Sequence, residues 1–163
     1  MAKNTDTVNE SAVEESQEVV VIDAESVDVG AELARIKSGE SAVLHSFVGA
    51  DMATEVKTLK ALTNSVAARD NLNKPIQMVD YLIHEVHLPD ENTGQVRSLA
   101  RSVIIDADGV AYHAVSSGVY MFLKNLIGSV RHPSEWEEPL AVEFVEQRST
   151  KNAAWRFVTL NVL

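Results

Sequence analysis

The sequence predicts an α+β domain built mainly from antiparallel strands and preceded by an acidic arm. Three observations support this prediction: a hairpin signature near the middle of the chain, several short runs of β-forming residues, and an N-terminus without aromatic residues. We expect residues 1–28 to form a disordered acidic arm and residues 29–163 to form a single folded domain.

The composition limits the kinds of protein and of site that the chain can form. With 163 residues, 45% of them apolar, the chain suits one folded unit with a core of ordinary size. The absence of cysteine excludes disulfides, zinc–thiolate sites and cysteine nucleophiles. No apolar run approaches the length of a membrane span and no secretion signal is recognisable, so we expect a cytoplasmic protein.

The negative charge is concentrated at the N-terminus. Residues 1–30 contain eight acidic side chains and one lysine, a net charge of −7, whereas the whole chain carries −10 and residues 31–163 therefore −3. Such a polar segment cannot bury enough surface to offset its ordering entropy, which predicts disorder. The more apolar stretch 18–23 within it could add as a strand or dock on a partner. The alternative is a solvated tail that keeps the protein soluble.

The hairpin signature is the best specified feature of the sequence. Asp106-Ala-Asp-Gly109 has the turn chemistry that reverses a backbone, and it lies between the β-forming runs 103–105 and 110–112. A calcium loop is the alternative for this acidic turn. It would require a bidentate glutamate at its twelfth position, and counting from Asp106 that position is Ser117.

The other elements follow from hydrophobic periodicity and from helix and strand signals. Helices are predicted over residues 29–37, 51–61 and 119–130, and strands over residues 41–48, 76–88, 96–105, 110–115, 140–146 and 153–163. In the second helix Met52, Val56 and Leu59 share one stripe, and Asp51 can cap its N-terminus. Ser116 can cap the third helix in the same way.

The order of these elements indicates the architecture. Strands 76–88, 96–105 and 110–115 should form an antiparallel meander, with helix 119–130 lying on it. Together with two final strands, this favours a compact barrel or sheet of the oligonucleotide-binding type that carries two or three short helices.

No catalytic or metal-binding signature is present in the sequence. His84 and His87 are three residues apart on a predicted strand, so they point to opposite faces and would not ligate one metal. Ser116 to Gly118 lacks a nucleophile-elbow pattern, and Glu137 and Glu138 lie in a linker beside prolines. We therefore expect a non-enzymatic protein with no cofactor and no metal.

The last strand supplies the first candidate binding residues. If its alternate aliphatic residues face the core, Trp155 and Phe157 face outward. Beside Arg148 and Lys151 they would form a stacking platform for unpaired bases. In the alternative interpretation, helix 119–130 covers this face and both aromatic residues belong to the core.

The central hairpin supplies a second candidate set. Arg97 and Arg101 lie on one side of strand 96–105, and Tyr112 and His113 lie on the partner strand, where they could meet the phosphates of a single strand. Solvated arginines on an antiparallel sheet are the alternative. Three further basic residues could extend this track: Lys74, Lys124 and Arg131.

Three short motifs carry a family resemblance. They are the arginine, apolar run and acidic turn of Arg101 to Gly109, the SSGV of Ser116 to Val119, and the Trp-Glu pair at Trp136 and Glu137. Over about residues 40–163 the chain resembles small phage-encoded single-stranded DNA-binding proteins. The resemblance implies a non-catalytic protein of oligonucleotide-binding-like fold that coats single-stranded DNA during phage replication or recombination.

Two features of this chain depart from the pattern of the familiar single-stranded DNA-binding proteins of bacteria. Their acidic partner-binding tip is C-terminal, whereas the acidic segment of this chain is N-terminal, and the folded part of this chain is not net basic. A local basic groove is therefore required, because attraction to the DNA backbone depends on the phosphates neutralised rather than on total charge.

The leading hypothesis is sequence-tolerant binding of single-stranded DNA by base stacking and phosphate contacts. The acidic arm would compete with DNA or recruit replication or recombination proteins, in the cytoplasm of the host cell, and the sequence leaves homo-oligomerisation open. The alternative is a structural or scaffolding protein of a viral assembly that uses its sheet edges and the acidic arm for protein contacts.

Overall fold

The computed structural model of the chain describes residues 29–163. The predicted arm over residues 1–28, including the apolar stretch 18–23, lies outside the described residues. The helices of the described part are α1 (Val29–Ser38), α2 (Met52–Thr63) and α3 (Ser117–Ser129), with short 3-10 turns at Ala68–Asn71 and Pro133–Glu135. Its strands are β1 (Val43–His45), β2 (Val66–Ala67), β3 (Pro75–Pro89), β4 (Val96–Asp106), β5 (Ala111–Ala114), β6 (Leu140–Arg148) and β7 (Arg156–Val162).

The strands form one curled, mostly antiparallel sheet, which confirms the predicted fold class and meander. Their order is β2-β5-β4-β3-β6-β7, and β1 also pairs with β3. One edge of β3 pairs with β4, while the other edge pairs with β6 over residues 75–78 and with β1 over residues 82–84. The register shift between Met78 and Asp80 lies between these two segments, and the sheet curls into a half-barrel.

Strand β1 is shorter than the predicted strand 41–48, since the regular ladder with β3 covers Val43–His45 alone. Only residues 82–84 of β3 pair with it. Beyond the strand, Ser46 takes over this pairing, since its backbone N–H donates to the Tyr81 carbonyl at 3.0 Å and its hydroxyl accepts from the Tyr81 N–H at 2.9 Å.

The β4–β5 connection is the tight turn that the sequence predicts. The Asp106 carboxylate accepts hydrogen bonds from the backbone N–H groups of Asp108 at 2.9 Å and Val110 at 2.8 Å. Gly109 adopts the positive φ of 83° that the reversal requires. The Asp106 carboxylate thus accepts the hydrogen bonds of the turn's backbone N–H groups. Within residues 29–163, no group of three or more His, Asp or Glu side chains is placed to hold a metal ion.

Side chains alternate between two cores on opposite faces of the sheet. The first core lies between the sheet and α3, and its members include Met78, Tyr81, Ile104, Leu123, Phe144 and Leu160. The second core lies between the other face and α2, and it contains Phe47, Ala61, Leu62, Leu82, Val103, Ile105 and Ala111. Both faces of the central strands are therefore covered by helices.

Two side-chain expectations differ from the structure. The stripe of Met52, Val56 and Leu59 on α2 is exposed. The helix buries a different face, which carries Thr54, Ala61 and Leu62. Ser116 stands at the N-cap of α3 but makes no capping hydrogen bond. Its hydroxyl instead donates to the backbone carbonyl of Val158 at 2.5 Å, so it joins the start of α3 to β7.

Gly118 allows α3 to approach β7 closely. A Cβ atom at this position would lie 2.6 Å from the Val158 carbonyl oxygen and 2.8 Å from Cδ2 of Phe157. Real Cβ atoms do not make such contacts, so a larger residue would have to push the helix and the strand apart.

The Gly118→Ala variant should therefore lose about 1–3 kcal/mol of unfolding free energy, the usual cost of overpacking. Gly128→Ala on the same helix is the matched control, because a Cβ there would have no atom within 4 Å. Since alanine favours a helix over glycine, the control should be as stable as the wild type or slightly more stable. Urea unfolding measures both variants, and equal stabilities would contradict the close approach.

Candidate nucleic-acid interface

The nine predicted binding residues separate into distinct regions of the structure. The β6–β7 hairpin carries Arg148, Lys151, Trp155 and Phe157, and two exposed cations, Arg97 and Lys124, lie elsewhere on the surface. The other three residues, Arg101, Tyr112 and His113, are buried or half-buried in the sheet.

The β6–β7 hairpin holds its residues in a defined turn. Arg148 pairs with Arg156 at the end of the ladder. Beyond this pair the Ser149 N–H donates to the Trp155 carbonyl at 2.8 Å, and the Trp155 N–H donates to the Asn152 carbonyl at 3.0 Å. Trp155 thus lies in the turn immediately before β7, and its side chain is partly exposed.

The basic side chains of this hairpin differ in whether they are already paired within the protein. Arg156 forms an ion pair with Glu146 across the two strands, with Nη1 2.8 Å from Oε1. Arg148 and Lys151 are exposed, and their side chains make no ion pair or hydrogen bond with any other described residue. Two cations at the tip of the hairpin are therefore free to contact an external anion.

Phe157 lies where α3 meets β7. Its ring contacts the helix at Gly118 but is only partly buried, so α3 flanks this face of the strand without covering it. The space between the two elements, called the α3–β7 groove below, has a volume of about 440 Å³. It is lined by Ser117, Gly118, Met121, Phe122, Asn125, Phe157 and Thr159.

The remaining exposed cations lie apart from this hairpin. Arg97 is on the β3–β4 hairpin and forms an ion pair with Asp90, although its side chain stays 58% exposed. Lys124 is on α3 and borders a second groove of about 570 Å³ on the other side of the helix. Leu44, Ile83 and Ile127 also line this second groove.

Arg101 is an internal anchor in the structure and not part of an exposed phosphate track. It is 4% exposed, and its guanidinium donates to the Leu62 carbonyl and to the Ser65 hydroxyl, each at 3.0 Å. These contacts hold the C-terminal end of α2, where a cation is also favoured by the helix dipole. Burial lowers the pKa of Arg101 from its usual value.

His113 belongs to the same buried group. It is 8% exposed, and its Nδ1 lies 2.9 Å from the Ser65 hydroxyl. Burial, together with the charge of Arg101, lowers the pKa of His113 and favours the neutral ring. The sequence pattern placed Arg101 and His113 on neighbouring strands but gave no sign that α2 covers them.

Tyr112 points to the other face of the sheet. Its hydroxyl donates to the Asp106 carboxylate at 3.1 Å, and its ring lies 6.2 Å from that of Phe144. Burial and the hydrogen bond to Asp106 raise the pKa of Tyr112. Its ring and hydroxyl thus support the β4–β5 turn.

Sequence reasoning missed the side chains of α3 that line the α3–β7 groove. The pattern predicted the helix, but which of its sides would meet β7 depends on the contact at Gly118. The sequence pattern therefore did not mark Ser117, Met121 or Asn125 as candidate binding residues.

The arrangement of strands and helices defines the class of protein. A five-stranded antiparallel unit, β3 to β7, carries a helix between its third and fourth strands, and its first strand pairs with both the second and the fourth. This is an oligonucleotide-binding-like fold, a class that binds single-stranded nucleic acids and oligosaccharides.

The comparison with protein families identifies the group within this class. The family model of the Phi29 phage single-stranded DNA-binding protein matches residues 37–163, and the chain belongs to this family. Searches of curated proteins and of solved structures found no match. Within residues 29–163, no helix has the length and apolar character that a membrane span requires.

The placement of Arg101 and Arg97 predicts losses of stability of different size when each is removed. Arg101→Ala should lose about 2–4 kcal/mol of unfolding free energy, because two hydrogen bonds from a buried charge disappear. Arg97→Ala is the matched control on the same strand and should lose less than about 1 kcal/mol, because the Arg97 side chain is largely exposed and the Asp90 carboxylate keeps two backbone hydrogen bonds. Urea unfolding compares the two variants, and a loss for Arg101→Ala no larger than that of the control would contradict its role as an anchor.

Proposed function

We propose that this protein binds single-stranded DNA with little sequence preference, as a non-catalytic coating protein in phage DNA replication or recombination. Trp155 and Phe157 stack on unpaired bases, and Arg148 and Lys151 contact phosphates. The observation that carries the proposal is the combination, on one hairpin, of two partly exposed aromatic rings with two cations that have no partner among the described residues.

Base stacking explains why such a site would tolerate any sequence. Every base has a π-face, and each base stacked on an aromatic side chain contributes roughly 1–3 kcal/mol. In a duplex these faces are already stacked on one another, so the hairpin would discriminate in favour of single strands. Membership of the single-stranded DNA-binding family supports this choice of ligand.

The acidity of the chain does not oppose this site, because binding depends on local charge. The two carboxylates of β6 have partners on β7, since Glu146 is paired with Arg156 and Glu143 accepts a hydrogen bond from Asn161. The two unpaired cations can therefore neutralise phosphates and release counterions, even though the net charge of the chain is −10.

Arg97 and Lys124 are proposed as peripheral phosphate contacts. The Arg97 side chain is largely exposed, and the buried Asp90 carboxylate also accepts two backbone hydrogen bonds, so Arg97 can exchange this partner for a phosphate at small cost. Lys124 would attract a strand that leaves the hairpin along α3. Arg101, His113 and Tyr112 act only by supporting the sheet.

The acidic arm is proposed to compete with DNA or to recruit replication or recombination proteins in the host cytoplasm. Residues 1–28 carry eight acidic side chains and are tethered to a domain with exposed cations. A tethered polyanion has a high effective concentration at such cations, so it would weaken non-productive contacts with DNA.

The Trp155→Ala variant tests the proposal. Because Trp155 lies in a partly exposed turn, the variant should stay folded, and its affinity for fluorescently labelled oligo-dT should fall by about tenfold or more with the loss of one stacked base. Fluorescence anisotropy measures the affinity. Trp136→Phe is the matched control, because the Trp136 indole donates to the Arg131 carbonyl at 2.7 Å outside the hairpin, and its affinity should be unchanged. Wild-type affinity in a folded Trp155→Ala protein would remove Trp155 from the site.

A further inference from the structure

We propose that the α3–β7 groove is a base-binding pocket that receives one unpaired base of the DNA strand bound at the β6–β7 hairpin. This inference rests on the proposed single-stranded DNA-binding function and adds residues of α3 to the site. Met121 and Asn125 would contact the base directly.

The lining of the groove suits a flat, partly apolar ligand. Phe157 from β7 and Met121 from α3 line it, and the Met121 side chain is 47% exposed. An aromatic ring and a polarizable thioether are side chains that pack well against a planar ring. The groove of about 440 Å³ is open to solvent, so a base could enter it from the surface.

The polar groups of the groove suit the edge of a base. Asn125 is exposed, and its amide makes no hydrogen bond with another described residue. An amide carries both donors and an acceptor, so it can pair with the donor and acceptor pattern of more than one base. This property agrees with sequence-tolerant binding and adds hydrogen bonding to stacking.

The close approach at Gly118 sets the shape of the groove. The glycine brings the helix against the Val158 carbonyl and against one edge of the Phe157 ring. The rest of the ring is left to line the groove beside Asn125 and Met121. A side chain at position 118 would displace the ring from this place.

The spacing between the two aromatic residues favours an unpaired strand. Phe157 lies in β7 and Trp155 directly precedes this strand, so their Cα atoms are at most about 7 Å apart, the span of two extended residues. Successive stacked bases of a duplex strand are only about 3.4 Å apart. Two neighbouring bases could therefore occupy the Trp155 ring and the groove only after they have separated, which a single strand allows and a duplex does not.

The groove on the other side of α3 has a different character. Its lining is largely aliphatic, with Leu44, Ile83, Leu99 and Ile127 among its members. Ile127 is 38% exposed on the same helix, so it provides a matched control for Met121.

The test measures oligo-dT affinity by fluorescence anisotropy with full-length Asn125→Ala, Met121→Ala and Ile127→Ala variants. Asn125→Ala and Met121→Ala should each bind roughly three- to tenfold more weakly, as expected for a lost hydrogen bond or packing contact. Ile127→Ala should bind as the wild type does. If the wild type binds and the two groove variants bind equally well, the pocket is wrong while the proposed function stands. If the wild type itself does not bind, both fail.

An abasic strand separates a base contact from an effect on the fold or on phosphates. At low salt, where phosphate contacts suffice for binding, wild type and Asn125→Ala should have the same affinity for an abasic strand of equal length. A loss that persists on the abasic strand would overturn the assignment of Asn125 to a base.

Discussion

Strand β3 organises the sheet, because it pairs with other strands along both of its edges. One edge carries β4, and the other carries β6 and then β1, on either side of the register shift near Met78. With β3 shared between β4 on one edge and β6 and β1 on the other, the sheet curls into a half-barrel. The curl gives α3 a place against the inner residues and brings its N-terminal turn to the backbone of β7.

The location of the candidate site follows from this arrangement. Since α3 covers one face of the central strands and α2 covers the other, side chains in the middle of the sheet are not available to a ligand. Arg101 and His113 illustrate the consequence, because both are buried beneath α2. Exposed aromatic and basic groups remain at the β6–β7 hairpin and along the edge of α3, which is where we propose that DNA binds.

Features set by residues close together in the sequence could be predicted, whereas features set by contacts between distant residues could not. The Asp106 to Gly109 turn could be identified from sequence because its hydrogen bonds lie within five residues. The burial of Arg101 could not, because it depends on a helix about 40 residues earlier in the chain, and the exposed stripe of α2 depends on which face of that helix meets the sheet. The contact of Gly118 with Val158 likewise joins residues that are distant in sequence.

The most direct test of the central claim is the intrinsic tryptophan fluorescence of the full-length protein, titrated with oligo-dT of several lengths at two salt concentrations and with a duplex control. We expect quenching by single strands that weakens as salt rises and is absent with duplex, because in the proposed complex Trp155 stacks on unpaired bases while cations contact phosphates. A folded protein whose fluorescence responds to neither form, or responds equally to both, would contradict the central claim.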